Sequence, residues 1–334
     1  MSGPVAGGRR ATRAQVLDEI EGASKFLLGT HENPDGDALG SLVAMHQILV
    51  AAGKDSIMFM DADEFPLPYE YRFFSLDGLV SVPPPDIEER TIVFLDCGNI
   101  DRNPADALKF EGAHILNLDH HHDNTHFGTV NHVVPQASCT AEIVWDLMRG
   151  LGVSPTTSIA EALYVGLVTD TGKFMYENTG TRAHVMAAEL IDAGVDVHDI
   201  YRRIYEGIPY GKLVLLARGL SHIERYDDGR LTATQLTVED YREAGAEENW
   251  SEGVIDQLRS VEGTAVAALV RDRLGPGQEG KRKVSLRAAD ERVDVSAIAR
   301  AQGGGGHRQA AGFTTTLSWE QLIAFLRAEV AAQL

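Results

Sequence analysis

Three short apolar runs in this chain each stop at a cluster of acids and histidines, and that pattern restricts the fold more than any other feature. Phe26-Leu27-Leu28 leads into His31-Glu32-Asn33-Pro34-Asp35-Gly36-Asp37, Ile92-Val93-Phe94-Leu95 leads into Asp96, and Ile115-Leu116-Asn117-Leu118 leads into Asp119-His120-His121-His122. Runs this short, separated by stretches with helical spacing, read as buried parallel strands joined by helices. Sheets of that kind bind ligands beyond the carboxyl ends of their strands. All three clusters fall there.

The intervening segments fit. Helical spacing covers Ala14 to Ala23, Ala38 to Ala52 (stopped by Gly53), Thr140 to Arg149, Ile159 to Val168, Thr181 to Ala193 and Val197 to Tyr205. Ile57 to Met60 adds a strand, and Phe65 to Pro85 reads as an irregular connection. Past about Leu220 the pattern changes. Asp227-Asp228-Gly229-Arg230 precedes the alternating Leu231 to Leu236, the signal of a hairpin. Further strands are expected at Val261 to Val270, Lys283 to Arg287 and Gly312 to Leu317, with helices at Val295 to Ala301 and Trp319 to Gln333. The expected fold is α/β. A mostly parallel N-terminal sheet with helices on both faces covers residues 14–190. A helical linker at 191–220 leads to a smaller mixed α+β domain at 221–334. Met1 to Arg13 reads as a loose tail.

Composition excludes several classes of function. A formal charge of −19 over 334 residues repels long polyanions, which argues against extended nucleic-acid tracks. It permits small phosphorylated ligands, because bound cations reverse the sign locally. The two cysteines, Cys97 and Cys139, give neither a disulfide framework nor a zinc spacing and fit a cytoplasmic protein. No run is long and apolar enough for a membrane helix.

The strand-end clusters point to metal. Asn33-Pro34-Asp35-Gly36 alone is also good turn sequence, and Asp37 alone could cap the following helix. Carboxylates crowded at one place repel each other unless a cation neutralises them. Histidine with several carboxylates and no thiolate suits Mn²⁺, with Mg²⁺ or Co²⁺ as substitutes, better than structural zinc. Such carboxylate-rich metal pairs drive displacement at phosphorus. In the C-terminal part, Gly303-Gly304-Gly305-Gly306-His307 either forms a flexible linker or exposes backbone N–H groups to an anion. Ala310-Ala311-Gly312-Phe313 follows at once, which favours a folded unit. Arg287, alternating with Val284 and Leu286, is the better phosphate candidate in the basic stretch around it.

In order, His31-Glu32-Asn33-Pro34-Asp35-Gly36-Asp37, Asp96, Asp119-His120-His121, Gly166-Leu167-Val168-Thr169-Asp170 and Gly303–Gly312 resemble the motifs of the DHH phosphoesterase family. The match lies with its branch of nano-RNases (oligoribonucleases) that also act as 3′-phosphoadenosine 5′-phosphate (pAp) phosphatases. The resemblance implies two Mn²⁺ per chain. His31 and Asp35 would hold one, Asp37, His120 and Asp170 the other, and Asp96 would bridge them. It implies that Asp119 orients His120, and that His121 contacts the scissile phosphate or the leaving oxygen. Arg287, His307 and the backbone of Gly304, Gly305 and Gly306 would hold the nucleotide. His122 stands where relatives often have proline and receives no role. Expected substrates are short RNA or dinucleotides and pAp, with no long nucleic acid, no membrane and a possible homodimer. The alternatives are a cyclic or linear dinucleotide phosphodiesterase, a longer single-strand exonuclease, and a non-catalytic nucleotide-binding regulator.

Overall fold

The apolar runs become the middle of a wholly parallel seven-stranded sheet. The computed structural model describes residues 8–334 except 104, 252 and 307. The chain divides into two units, one ending at Gly207 and the other spanning Ile208–Leu334.

The first unit contains β1 (Arg9–Arg10), β2 (Lys25–Gly29), β3 (Asp55–Phe59), β4 (Leu79–Val80), β5 (Thr91–Leu95), β6 (Ile115–Asp119) and β7 (Val130–Val133). Their order across the sheet is β1-β7-β6-β5-β2-β3-β4. The chain runs outward from β2 through β3, then returns to β5 on the other side of β2. The order therefore reverses between β5 and β2, the place where such sheets open a crevice.

Side chains alternate across these strands, so each strand serves two cores. Phe26, Leu28, Val93, Leu95, Leu116 and Leu118 face the larger core. It is covered by α1 (Arg13–Gly22), α2 (Gly36–Ala51), α3 (Thr140–Gly150), α4 (Thr157–Asp170), α5 (Thr181–Asp192) and α6 (Val197–Tyr205). Leu27, Ile92, Phe94 and Ile115 face a smaller core. There the cover is the β5–β6 connection, whose helices are single 3₁₀ turns at Ile100–Arg102 and Asp106–Leu108. Gly98, Pro104 and Gly112 in that connection do not favour a longer helix.

The expected loose tail is structured from Arg9. Arg9–Arg10 pairs with β7, and Thr12 caps α1 in a reciprocal capping box with Gln15. Residues 1–7 lie outside the described residues. The strand β7 escapes the sequence pattern because Asn131 and His132 interrupt its apolar run.

The second unit holds α7 (Tyr210–Ser221), β8 (Glu224–Tyr226), β9 (Leu231–Leu236), α8 (Val238–Ala244), α9 (Val254–Arg259), β10 (Val266–Asp272), β11 (Arg282–Ala288), α10 (Val295–Arg300), β12 (Gly305–Gly306), β13 (Ala310–Thr315) and α11 (Trp319–Ala331). The mixed sheet runs β12-β13-β11-β10-β9-β8. The expected hairpin joins β8 to β9, and Asp227, Asp228 and Gly229 all take left-handed backbone angles in its turn. Helices α10 and α11 cover one face, and α7, α8 and α9 the other. The segment 191–220 is not a separate linker. Helix α6 buries Ile200 and Ile204 in the first unit, whereas α7 buries Leu215 in the second. An apolar stripe on each helix commits it to the nearer core.

Helix α2 is central to the first unit, and it sits close to α4 because glycine permits it. A Cβ on Gly40 would lie 2.4 Å from the carbonyl oxygen of Ala162, a backbone atom that cannot swing away. Gly40→Ala should therefore destabilise the protein by about 1–3 kcal/mol, the usual range for overpacking. Calorimetry would show a lowered melting temperature for the first unit. Gly22→Ala at the end of α1, where nothing lies within 4 Å, should leave it unchanged or raised.

Candidate metal centre

All six ligands proposed for the metals sit just after a strand or at a helix end. His31 follows β2, Asp96 follows β5, His120 follows β6, Asp37 lies in the first turn of α2, and Asp170 closes α4. The sixth, Asp35, caps the start of α2. Two triads form, His31–Asp35–Asp96 and Asp37–His120–Asp170, with the donor atoms of each within 4.8 Å of one another. Asp96 stands between them, with Oδ2 3.6 Å from Nε2 of His31 and Oδ1 3.6 Å from Nε2 of His120. The His120 Nε2 is also 3.6 Å from Oδ2 of Asp170.

The backbone at Asp96 has φ +58°, a left-handed conformation that only Gly, Asn and Asp adopt readily. It turns the chain sharply off β5 and lets the carboxylate face both triads. Thr140 Oγ1 donates to Asp96 Oδ1 at 3.0 Å.

Asp35, not Asp37, caps α2. Its Oδ1 accepts from the backbone N–H groups of Asp37 and Ala38. Asp37 instead caps a different helix. Its two oxygens accept from the N–H groups of Thr140 (2.6 Å) and Ala141 (2.9 Å) at the start of α3, and Ser41 Oγ adds a third donor. Asp170 accepts from Asn178 Nδ2, which also bonds the Ser138 carbonyl.

The histidines are oriented too. His31 Nδ1 donates to the Glu32 carbonyl at 2.7 Å, which leaves Nε2 turned toward Asp96 and free to hold a metal. Asp119 was expected to orient His120, but it bonds His121, with Oδ1 2.7 Å from Nδ1. Adjacent residues at a strand end point to opposite sides, so Asp119 reaches the residue two along. Asn124 donates to the other Asp119 oxygen and is itself held by Asn117. The sequence carries no signal for Asn124, Thr140 or Asn178: Thr140 acts on a residue 44 positions away, and single asparagines five and eight positions from their carboxylates form no pattern. His121 also comes within 4.8 Å of Asp96 and His120, so it stands at the edge of the ligand group. His122 is exposed.

The charges cannot coexist without compensation. Burial, with the charges of Asp96, Asp170 and Asp35, pushes the Asp37 carboxyl well above the usual range. Burial and the charges of Asp96 and Asp35 outweigh the pull of His120 and raise Asp170 to about 6. Burial would raise Asp96 too, but the rings of His31, His121 and His120 outweigh it and hold it at about 2. His121 is desolvated, yet Asp119 and Asp96 lift it to about 9. Four carboxylates and two imidazoles converging in this way need protons or cations between them. The neighbouring thiols do not join the set. Burial raises Cys97 to about 12, its Sγ facing the Asn99 carbonyl, and pushes Cys139 well above its usual value. The donors thus fit a hard or borderline divalent metal.

The second unit places Arg287 on β11 opposite Ala310 of β13, half-buried. The glycine run is no linker. Gly303, in the turn that follows α10, has φ +75°, and Gly305–Gly306 pairs with Gly312 and Ala311 of β13. A Cβ on Gly304 would lie 2.2 Å from the Gly312 carbonyl, and one on Gly306 2.5 Å from Ala311 Cα. Only Gly305 of these three has open space. His307 lies outside the described residues.

Comparison with known proteins assigns the class. Residues 25–167 match the DHH family, N-terminal domain, and residues 229–333 match the DHHA1 domain. The chain belongs to the DHH family and is a phosphoesterase. It is 36% identical over 303 residues to the bifunctional oligoribonuclease and PAP phosphatase NrnA of Thermus thermophilus, covering 90% of this chain and 86% of that one. Its fold is that of an exopolyphosphatase-related protein from Bacteroides fragilis, with a TM-score of 0.85, 23% identity and coverage of 96% and 95%. A structure of the exonuclease RecJ bound to manganese aligns with a TM-score of 0.55 at 16% identity, over 98% and 96% of the two chains.

Removing the Thr140 hydroxyl tests how far the metal ligands depend on α3. Thr140→Val should weaken binding of a divalent metal at the candidate site about 10- to 100-fold in titration calorimetry, the usual effect of losing a partner of a ligand. Thr140→Ser should bind like the parent protein.

Proposed function

We propose that this protein is a two-metal, Mn²⁺-dependent phosphoesterase that hydrolyses short oligoribonucleotides and dinucleotides to mononucleotides and pAp to AMP. The observation that carries the reading is the pair of triads meeting at Asp96, in a chain 36% identical to an oligoribonuclease and PAP phosphatase. His31, Asp35 and Asp96 would hold one ion, and Asp37, His120 and Asp170, with Asp96 shared, the other. When bound, such a pair supplies positive charge to the phosphate oxygens and makes a water acidic enough to attack phosphorus.

The chain's own residues do the rest. Asp35 and Asp37 are preset by backbone N–H groups, so neither has to reorganise when charge builds up beside it. His121 has its Nδ1 engaged by Asp119, which leaves Nε2 to deliver a proton to the oxygen leaving phosphorus. Nucleotide binding falls to the second unit, through Arg287 and the backbone of Gly304, Gly305 and Gly306. Short substrates fit the charge of −19, which provides no attraction for a long polyanion. A cytoplasmic setting fits two buried, free cysteines.

A substrate panel with and without chelator tests the reading: pAp, linear pApA, a five-nucleotide RNA, a long RNA and a cyclic dinucleotide. Manganese-dependent cleavage of pAp and the short RNAs, with little on long RNA, is expected. Asp96→Ala should abolish it and reduce manganese stoichiometry below two per chain. Turnover retained in that variant would sink the shared-ligand role, and preference for the cyclic compound would move the protein to another substrate.

A further inference from the structure

Beside the candidate metals stands a positive charge that no motif marks. Beyond Asp96 the chain makes the 3₁₀ turn Ile100–Arg102, started by Asn99, whose Oδ1 accepts from the Asp101 N–H. This turn is tied to the end of β2 at two points. The Glu32 N–H donates to the Arg102 carbonyl at 2.7 Å, and Asn103, buried, donates from Nδ2 to the Thr30 carbonyl at 2.6 Å. Arg102 is thereby bonded through its backbone to the residue next to His31, and its position follows that of the ligand loop.

The Arg102 side chain is half-buried and has no hydrogen-bond or ion-pair partner among the described residues. That is unlike other arginines of this unit. Arg90 is held by Asp55 and Asp86, and Arg182 by Glu142 and Asp146. The guanidinium charge is felt at the rings of His31 and His121, where it opposes protonation, and at the Cys97 thiol, which it pulls down. All three stand just beyond the ends of β2, β5 and β6, and the turn that carries Arg102 belongs to the β5–β6 connection. An unpaired guanidinium withdrawn from water is costly, and a ligand that supplies the missing anion removes the cost.

Among the described residues, none pairs with Arg102 to supply that anion. Asp35, Asp37, Asp96 and Asp170 carry four negative charges, which two divalent ions would neutralise, and Asp119 is engaged by His121 and Asn124. We propose that Arg102 binds a non-bridging oxygen of the phosphate under attack, making it the guanidinium clamp of the catalytic unit. The proposal rests on the phosphoesterase reading above. A planar fork of N–H donors matches a phosphate bidentately, which a lysine cannot reproduce. Every substrate of the site shares the reacting phosphate. Arg102 therefore acts on all of them alike, whereas a residue holding the nucleotide would discriminate.

The test uses the full chain loaded with Mn²⁺ and three variants, Arg102→Ala, Arg102→Gln and Arg102→Lys. Inorganic phosphate is titrated as the probe in a calorimeter, manganese is counted after gel filtration, and kcat/KM is measured for pAp and a dinucleotide. Expected are unchanged manganese stoichiometry, phosphate affinity lower by about 10- to 100-fold, and an equal fractional loss of kcat/KM on both substrates. Added guanidinium should partly restore Arg102→Ala and not Arg102→Gln, whose longer side chain fills the space. Phosphate affinity and kcat/KM within about threefold of the parent, a small change for loss of a charged partner, would overturn the proposal. So would a loss of manganese in all three variants, because Arg102 would then be supporting the ligand loop. A parent protein that cleaves neither substrate, but whose phosphate binding disappears in Arg102→Ala, would refute the proposed reaction and leave the Arg102 assignment standing.

Discussion

The first unit depends on one contact, the Asp37 carboxylate seated on the N-terminus of α3. Asp37 is 1% exposed, and a carboxylate so placed is affordable only where donors meet both oxygens. The N–H groups of Thr140 and Ala141 have no partner within their own helix and supply this need. One contact thus satisfies a helix end, fixes a carboxylate and joins two helices. The Thr140 side chain extends it to Asp96. The start of α3 therefore holds one carboxylate of each triad.

The close approach of α2 to its neighbours follows from that contact. Asp37 can reach α3 only if α2 lies against α4, and glycine at 36, 40 and 166 leaves room for it. A Cβ on Gly36 would strike the Thr169 side chain, and one on Gly166 would lie 2.8 Å from an Asp37 oxygen. These glycines are packing devices for the site, two in α2 and one in α4, helices that otherwise carry large apolar residues. The sheet does the matching work on the other side. Parallel registry, Leu27 beside Ile92 and Val93 beside Leu116, brings the ends of β2, β5 and β6 level. The candidate ligands at those ends then meet without long loops.

What could be read from the sequence was what depends on neighbours in the chain. Strands β2, β5 and β6 were visible because apolar residues fill both faces, and their ligands were visible because each stands where such a run stops. Strand β7 was not, because buried Asn131 looks like a loop residue until its bonds to Gly128 and Asn117 are seen. Helices α8 and α9 are too short to show a period. The partners of Asp37 and Asp119 are not legible in the sequence, since the first bonds a helix a hundred residues away and the second bonds His121 in place of the expected His120. Arg102 was missed altogether. A single arginine in a polar turn carries no pattern, and its meaning comes from the partners it lacks.

The left-handed backbone at Asp96 has a bearing on how such a protein can change over descent. A side chain branched at Cβ, or one as long as glutamate, fits that angle badly, whereas asparagine tolerates it as aspartate does. Replacement by asparagine would keep the turn off β5 and still accept from Thr140, while removing the negative charge that stands between the two triads. The shortest route from catalyst to silent nucleotide receptor in this architecture therefore passes through one amide, with the scaffold intact on either side of the step.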